Sequence, residues 1–259
     1  MKKNILFIGY GDLGSRLASI SKDDLVITGI SRSLKPRIIP DQYHSLDWFK
    51  NSAQKVDLLK NYDCLIITLT PTSFDEAGYE KGYEEGMKLI SKLVKNISFK
   101  KSLLISSTRV YQDSEEPINE LSNINSEDFR AKSLLESEAI YLNEINSSQK
   151  TIFRLSGLYD PEMKDKIFYK QVDEFQNKLI PISSNLNRLS RDQAARIIMN
   201  FCINKTDLLL LNVSEPTVLA RERFKMLFPE KNFDDFFRID NPGKQLDISN
   251  LLKSKLLDG

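Results

Sequence analysis

Histidine is nearly absent from this 259-residue chain: His44 stands alone. A histidine-built metal site is therefore excluded, and a Ser–His–Asp nucleophile would have to rest on that one residue. Cysteine is almost as scarce. Cys64 and Cys202 are too few for a disulfide framework, and each falls in an apolar stretch where a thiol reads as a small core residue. No charge of one sign prevails, because 37 basic residues oppose 36 acidic ones with no long block of either. That balance argues for neither a nucleic-acid groove nor an anionic membrane surface. Long hydrophobic runs are missing as well: the stretch after Lys2 and Lys3 is only "ILFI", far short of a signal-peptide core or a membrane span. The chain reads as cytoplasmic, with no membrane and no nucleic acid among its partners.

What is present is a rhythm. Short apolar segments at 3–8, 25–30, 64–69, 102–106 and 150–155, with a weaker one near 43–46, alternate with amphipathic stretches at 12–20, 75–96 and 127–146. Continuous apolar strands between helices are what a parallel sheet covered on both faces requires. The expected fold is α/β, a doubly wound parallel Rossmann sheet. Beyond residue 156 turn residues multiply, with helices expected at 191–204 and 217–228. Residues 1–155 are thus expected to form the dinucleotide-binding domain. Residues 156–259 would form mostly a smaller substrate-binding lobe, with some helices returning to the sheet.

Glycine is used sparingly, ten times in all, so its placement is informative. "GYGDLG", Gly9 to Gly14, follows the first apolar strand and opens the first helix, all within a strand–helix–strand unit of about thirty residues. In such a unit the first glycine permits a tight turn and the second admits a pyrophosphate to the backbone. The third lets helix and strand pack closely, while the helix N-terminus offers amides and a positive dipole end. The cofactor contacts fall on Gly9, Tyr10, Gly11, Asp12, Leu13 and Gly14. An acid at the end of the second strand would select NAD through the ribose hydroxyls. Here that strand ends in Ser31, Arg32 and Ser33, and a guanidinium with flanking hydroxyls suits the 2′-phosphate of NADP. NADP is the expected cofactor, with NAD as the alternative.

At "LLISSTRVYQ" a second motif follows the fifth strand, and "FRLSGLYDP" follows the sixth, with Arg154, Gly157, Tyr159 and Pro161 at its marked positions. "NRLSRDQAARII" places Asp192 in an acidic position, and "LLNVSEPT" comes after it. In this order, with the glycine loop, these segments resemble the extended short-chain dehydrogenase/reductase family, which includes NAD-dependent sugar-nucleotide epimerases and dehydratases. The resemblance implies a small polar substrate, such as a sugar nucleotide. It adds Thr68, Leu69, Thr70 and Ser106 to the cofactor site and places Ser107 at the family's catalytic Ser/Thr position.

The departures bear on chemistry. The family pairs a tyrosine with a lysine four residues later on the helix after the serine segment. Aligning "SLLESE" puts Phe129 and Ser133 there, and Lys132 lies one position off, roughly 100° around a helix. The chain therefore resembles an atypical branch of the family. Tyr111, Tyr79 and Tyr83 are the candidate phenols and Lys132 or Arg109 the candidate cations, each also readable as packing or solvated. Ser107, Tyr111 and Lys132 are the catalytic set expected here, with no metal. The glycines at 78, 82 and 86 recur along one helix, each destabilising it by roughly 1 kcal/mol relative to alanine. Close approach of another helix would offset this, in a homodimer or within one subunit, as would a ligand. Two functions stay open: an NAD(P)-binding oxidoreductase or epimerase/dehydratase, and a redox-inactive NADP sensor or regulatory protein.

Overall fold

Along the first strand, Ile5 and Phe7 face one core and Leu6 and Ile8 another. A strand buried on both faces belongs in the middle of a covered sheet. The computed structural model describes all residues except 34, 51–55, 161–165, 175–177, 205, 206, 258 and 259, together with the backbone alone at 166 and 167. Its early elements run β1 (Lys3–Ile8), α1 (Asp12–Ile20), β2 (Leu25–Ser31), β3 (Gln42–Ser45), β4 (Asn61–Thr68) and α2 (Glu76–Tyr79). A π-helical turn (Glu80–Glu85) leads into α3 (Gly86–Leu93), β5 (Ser98–Ser107), α4 (Phe129–Glu144) and β6 (Lys150–Leu155). The second half contributes β7 (Gly157–Tyr159), α5 (Lys166–Asp173), β8 (Ile180–Ser183), β9 (Asn185–Leu186), β10 (Arg188–Ser190), α6 (Arg191–Ile203) and β11 (Leu210–Val213). It ends with β12 (Val218–Leu219), α7 (Ala220–Leu227), β13 (Phe237–Asn241) and α8 (Ser249–Lys253).

The seven-stranded sheet has the order β11-β6-β5-β4-β1-β2-β3 and is parallel at every pairing. Strand order reverses between β1 and β4, and ligands bind outside the carboxyl ends of strands at such a switch point. The expected doubly wound α/β sheet is therefore what forms. Leu17 of α1 and Ile198 and Phe201 of α6 cover one face; Met87 and Ile90 of α3 and Tyr141 of α4 cover the other.

The helix expected over 75–96 forms over 76–93, with its middle widened to a π turn. The element pressed against its glycines is a loop. A Cβ on Gly78 would lie 2.1 Å from Ser73 Oγ, and one on Gly82 would lie 2.5 Å from both Pro71 Cα and the Thr70 carbonyl. Gly86 meets Leu69 and Phe49 at an ordinary 3.5 Å. The segment after β4 thus takes the place of the close-packed second helix expected along these glycines.

Beyond residue 156 the chain does two things. Phe168, Phe224, Phe233 and Phe237 build a separate small core, and β7 pairs with β10, β8 with β13 and β9 with β12. In between, α6 returns to the sheet face and β11 adds an edge strand beside β6. The helix expected from 217 starts at Ala220, because Val218 and Leu219 are spent on pairing with β9. No helix among the described residues is long and apolar enough to cross a membrane.

Candidate functional site

The turn after β1 is forced. Gly9 has φ +82°, and a Cβ there would lie 2.0 Å from the Thr68 carbonyl oxygen. Thr68 Oγ1 donates to the Gly9 carbonyl at 2.7 Å, while the Gly9 and Tyr10 amides both donate to the Ile30 carbonyl at 2.9 Å. The turn is therefore tied to β2 and β4 at once. Gly11 caps α1 with no side-chain hydrogen bond, and a Cβ on it would meet nothing nearer than 3.7 Å. The backbone here is bare and open, and the first-turn amides of α1 are left for a ligand.

Gly14 serves a different neighbour from the one expected. The Tyr10 ring would lie 2.6 Å from a Cβ on Gly14 and 2.8 Å from one on Gly29, so it wedges between α1 and β2. Its hydroxyl donates to the Ile38 carbonyl at 3.0 Å, and burial pushes the phenol up to about 12. Tyr10 is thus a packing residue, and its side chain is not on the cavity wall.

Asp12 in the first turn of α1 would repel a diphosphate unless neutralised. Arg16 donates to it at 3.0 Å, Arg37 at 3.1 Å and Arg191 at 3.4 Å. Burial works to raise the Asp12 carboxyl, but the Arg16 hydrogen bond and charge, with Arg191 and Arg37, carry it below the usual carboxylate value. Arg16 also binds Asp160 at 2.6 Å and Asp192, joining α1 to the chain after β7 and to α6.

A cavity of about 660 Å³ opens at the switch point. Gly9, Gly11, Asp12 and Leu13 form one end, and Thr68, Leu69 and Thr70 the floor beside it. Ser106, Ser107 and Leu134 line the far side, Phe74 and Tyr83 a wall, and Ser156, Gly157 and Arg191 the side of the second half. Ser107 Oγ accepts the Arg109 amide at 3.2 Å, which fixes the turn after β5. Ser106 turns its hydroxyl away, donating at 2.5 Å to Glu138, which also takes two hydrogen bonds from Arg154 at 3.0 and 2.6 Å. Ser156 Oγ is buried on the cavity wall with no hydrogen-bond partner among the described residues.

The remaining expected residues divide. Arg32 sits at the end of β2 with its guanidinium 5.6 Å from the ring centroids of Trp48 and Phe49 and donates to Thr70 Oγ1 at 3.4 Å. Ser31 Oγ pairs with the Tyr43 hydroxyl at 2.6 Å and accepts the Ser33 amide at 3.3 Å. Of the three, Arg32 alone reaches the cavity lining, at Thr70. Tyr111 and Lys132 are not brought to it. Tyr111 is fully buried, its hydroxyl donates to Asn212 Oδ1 at 2.7 Å, and Arg154 lies over its ring. Lys132 is exposed on α4. At the two departing positions, Ser133 donates back to the Phe129 carbonyl at 3.0 Å and Phe129 packs edge-on against Tyr79.

Arg191 and Ser156 were not legible in the sequence as site residues. Arg191 adjoins Asp192 in a recognisable segment, but its partner Asp12 is 179 residues away. Ser156 is one hydroxyl among many.

No protein-family model matches the chain, and no curated protein matches it significantly. Solved structures do. UDP-glucuronic acid 4-epimerase from Bacillus cereus, a tyrosine-to-phenylalanine mutant holding a fluorinated UDP-sugar and NAD, superposes with a TM-score of 0.73 at 14% identity over 97% of this chain and 92% of that one. A Methylobacillus flagellatus protein with the provisional name NAD-dependent epimerase/dehydratase gives 0.71 at 23% identity, covering 98% and 92%. UDP-N-acetylglucosamine 4-epimerase from Methanobrevibacter ruminantium, in complex with UDP-N-acetylmuramic acid, gives 0.73 at 16% identity, covering 98% and 92%. The chain has the fold of the nucleotide-sugar 4-epimerases over nearly its whole length.

Proposed function

We propose that this protein is an NAD(P)-binding oxidoreductase or epimerase/dehydratase acting on a small polar substrate, with a sugar nucleotide the best-supported class. The observation that carries the reading is the corner after β1, where a positive-φ glycine and an uncapped helix present bare backbone to a cavity at the sheet's switch point. The residues fit a dinucleotide: Gly11 leaves open space where a side chain would stand, and Ser156 brings to the same cavity a hydroxyl without a hydrogen-bond partner among the described residues. The fold shared with structures that hold NAD and UDP-sugars supports it. When bound, a nicotinamide dinucleotide supplies a hydride acceptor or donor.

In this reading Gly9 to Gly14 and Thr68 to Thr70 hold the diphosphate and its flanks, and Arg191 reaches over from the second half to meet the phosphate charge. Arg32, already turned toward Thr70, favours NADP over NAD. Ser107 hydrogen-bonds the substrate oxygen. The substrate is held between this edge and residues 156–259, and residues 1–155 supply most of the cofactor site. Calorimetry with NAD⁺, NADH, NADP⁺ and NADPH tests the binding. A screen for hydride transfer with UDP-glucose and UDP-glucuronic acid, repeated on Ser107→Ala, tests the chemistry. Micromolar binding of one pair and turnover lost in Ser107→Ala is the expected result. Tight binding without exchange of the nicotinamide hydrogen on any substrate would instead identify a redox-inactive sensor.

A further inference from the structure

The position where a proton-donating tyrosine is missing has a phenol beside it. Phe129 begins α4 and contacts Tyr79 edge-on, with ring centroids 5.5 Å apart. Tyr79 in turn contacts Tyr83 at 5.5 Å, and Tyr83 lines the cavity. Of the cavity's titratable side chains, Asp12 and Arg191 pair with each other at the glycine-loop end. Among the described residues, Tyr83 is the remaining one.

Its placement is built in. Tyr83 lies in the π turn, and π turns tend to occur at functional sites because the widened turn redirects a side chain. Gly82, immediately before it, presses against Pro71 and Thr70 so closely that a Cβ would overlap both. The same loop that borders the cavity thus sets the height of the Tyr83 backbone. On this geometry, and resting on the function proposed above, we infer that Tyr83 is the proton donor and acceptor for the substrate oxygen, replacing the phenol that Phe129 lacks. As a donor, Tyr83 breaks its O–H bond while an O–H bond forms on the substrate oxygen. A bound nicotinamide dinucleotide would supply the hydride for the substrate carbon. The phenolate keeps the electron pair and regains a proton from solvent. The reverse direction starts from that phenolate and a substrate hydroxyl.

The resting state suits the donor role. Burial raises the Tyr83 phenol to about 12, with Tyr79 adding to the shift, while the charge of Arg109 opposes it. Tyr79 contacts the Tyr83 ring, and Arg109, two residues beyond Ser107, is the cation whose charge bears on the phenol. In this reading its charge, carried on the short turn after β5, stands in for the lysine expected on α4.

The test is an NMR titration of protein carrying ¹³Cζ-labelled tyrosine, with calorimetry on the same samples. Tyr83→Phe identifies the resonance by its loss. In wild type, saturation with the oxidised cofactor that binds, NADP⁺ or NAD⁺, is expected to lower the midpoint of that resonance by at least one pH unit, a tenfold rise in acidity. The corresponding reduced cofactor, lacking the ring's positive charge, should shift it less. Arg109→Ala should raise the midpoint, while Tyr83→Phe should keep the dissociation constant of the oxidised cofactor within threefold. If either oxidised cofactor binds and the Tyr83 midpoint stays put, the inference is overturned and the proposed function survives. If neither NAD⁺ nor NADP⁺ binds wild type, the function beneath it falls first and takes the inference with it.

Discussion

The two ends of the cavity are built on different principles. At the glycine-loop end the requirements fall on the backbone: a positive φ at Gly9, an amide pair tied to Ile30 and an open face at Gly11. At the Ser107 end the requirements fall on side chains, and a phenol can be supplied from any element that reaches the cavity. Phe129 occupies the expected helix position, while Tyr83 reaches in from the neighbouring π turn. Backbone demands are met by few residue types and stay in place. Chemical groups can change element while the fold is kept.

The largest expected effect lies under the chemical end. Arg154 and Glu138 form a buried, doubly hydrogen-bonded pair that also receives Ser106. Arg154→Met leaves that carboxylate buried and unpaired, so urea unfolding should show a loss of about 3–5 kcal/mol. A loss under 1 kcal/mol would mean that the network is incidental to the end of β5. Next come two matched glycine substitutions. Gly9→Ala faces both a positive φ and a 2.0 Å overlap with backbone, for a loss of about 3 kcal/mol and a fall in Tm of roughly 6–12 °C. Gly82→Ala faces overlap alone, with expected losses of about 1–3 kcal/mol. The second variant should keep dinucleotide binding and lose turnover, and the first should lose both. Equal effects on binding would erase the distinction between the ends.

Arg191→Ala removes a half-buried partner of Asp12 beside the proposed diphosphate position. The dissociation constant for the dinucleotide should rise roughly tenfold, about 1.4 kcal/mol, with Tm nearly unchanged. The smallest effect is a pH dependence. Burial raises Tyr10 and Tyr83 to about 12 from 10.0. Between those values the unfolded chain has released protons that the native state keeps, so stability is full below pH 10 and declines as pH rises toward 12. Tyr83→Phe should flatten part of that decline in alkaline melts, and Tyr10→Phe another part.

Much of the fold was legible. The spans expected for β1, α1 and β6 match the observed Lys3–Ile8, Asp12–Ile20 and Lys150–Leu155, because each combines one period of hydrophobicity with clear turn chemistry. The helix over 75–96 forms over 76–93, with a π turn in its middle that the sequence did not announce; glycine spacing reports that something approaches closely, not whether it is a helix or a loop. In the site, the glycine turn was legible because φ and close approach restrict residue choice. Gly14 was read with the wrong neighbour, since nothing local says that Tyr10 folds back over it. Ser107 was found from its segment, and Tyr111 drew attention for the same reason, though its hydroxyl is spent on Asn212 in the core. Arg191 was invisible, because charge pairing across 179 residues leaves no local pattern.

Everything rests on the bare corner after β1 holding a dinucleotide diphosphate. Isothermal titration of the wild-type protein with NADP⁺ and NAD⁺, alongside Arg191→Ala, measures this most directly. Saturable binding at micromolar concentration, weakened about tenfold in the variant, is the expected result. A flat isotherm for both cofactors at millimolar concentration would contradict it.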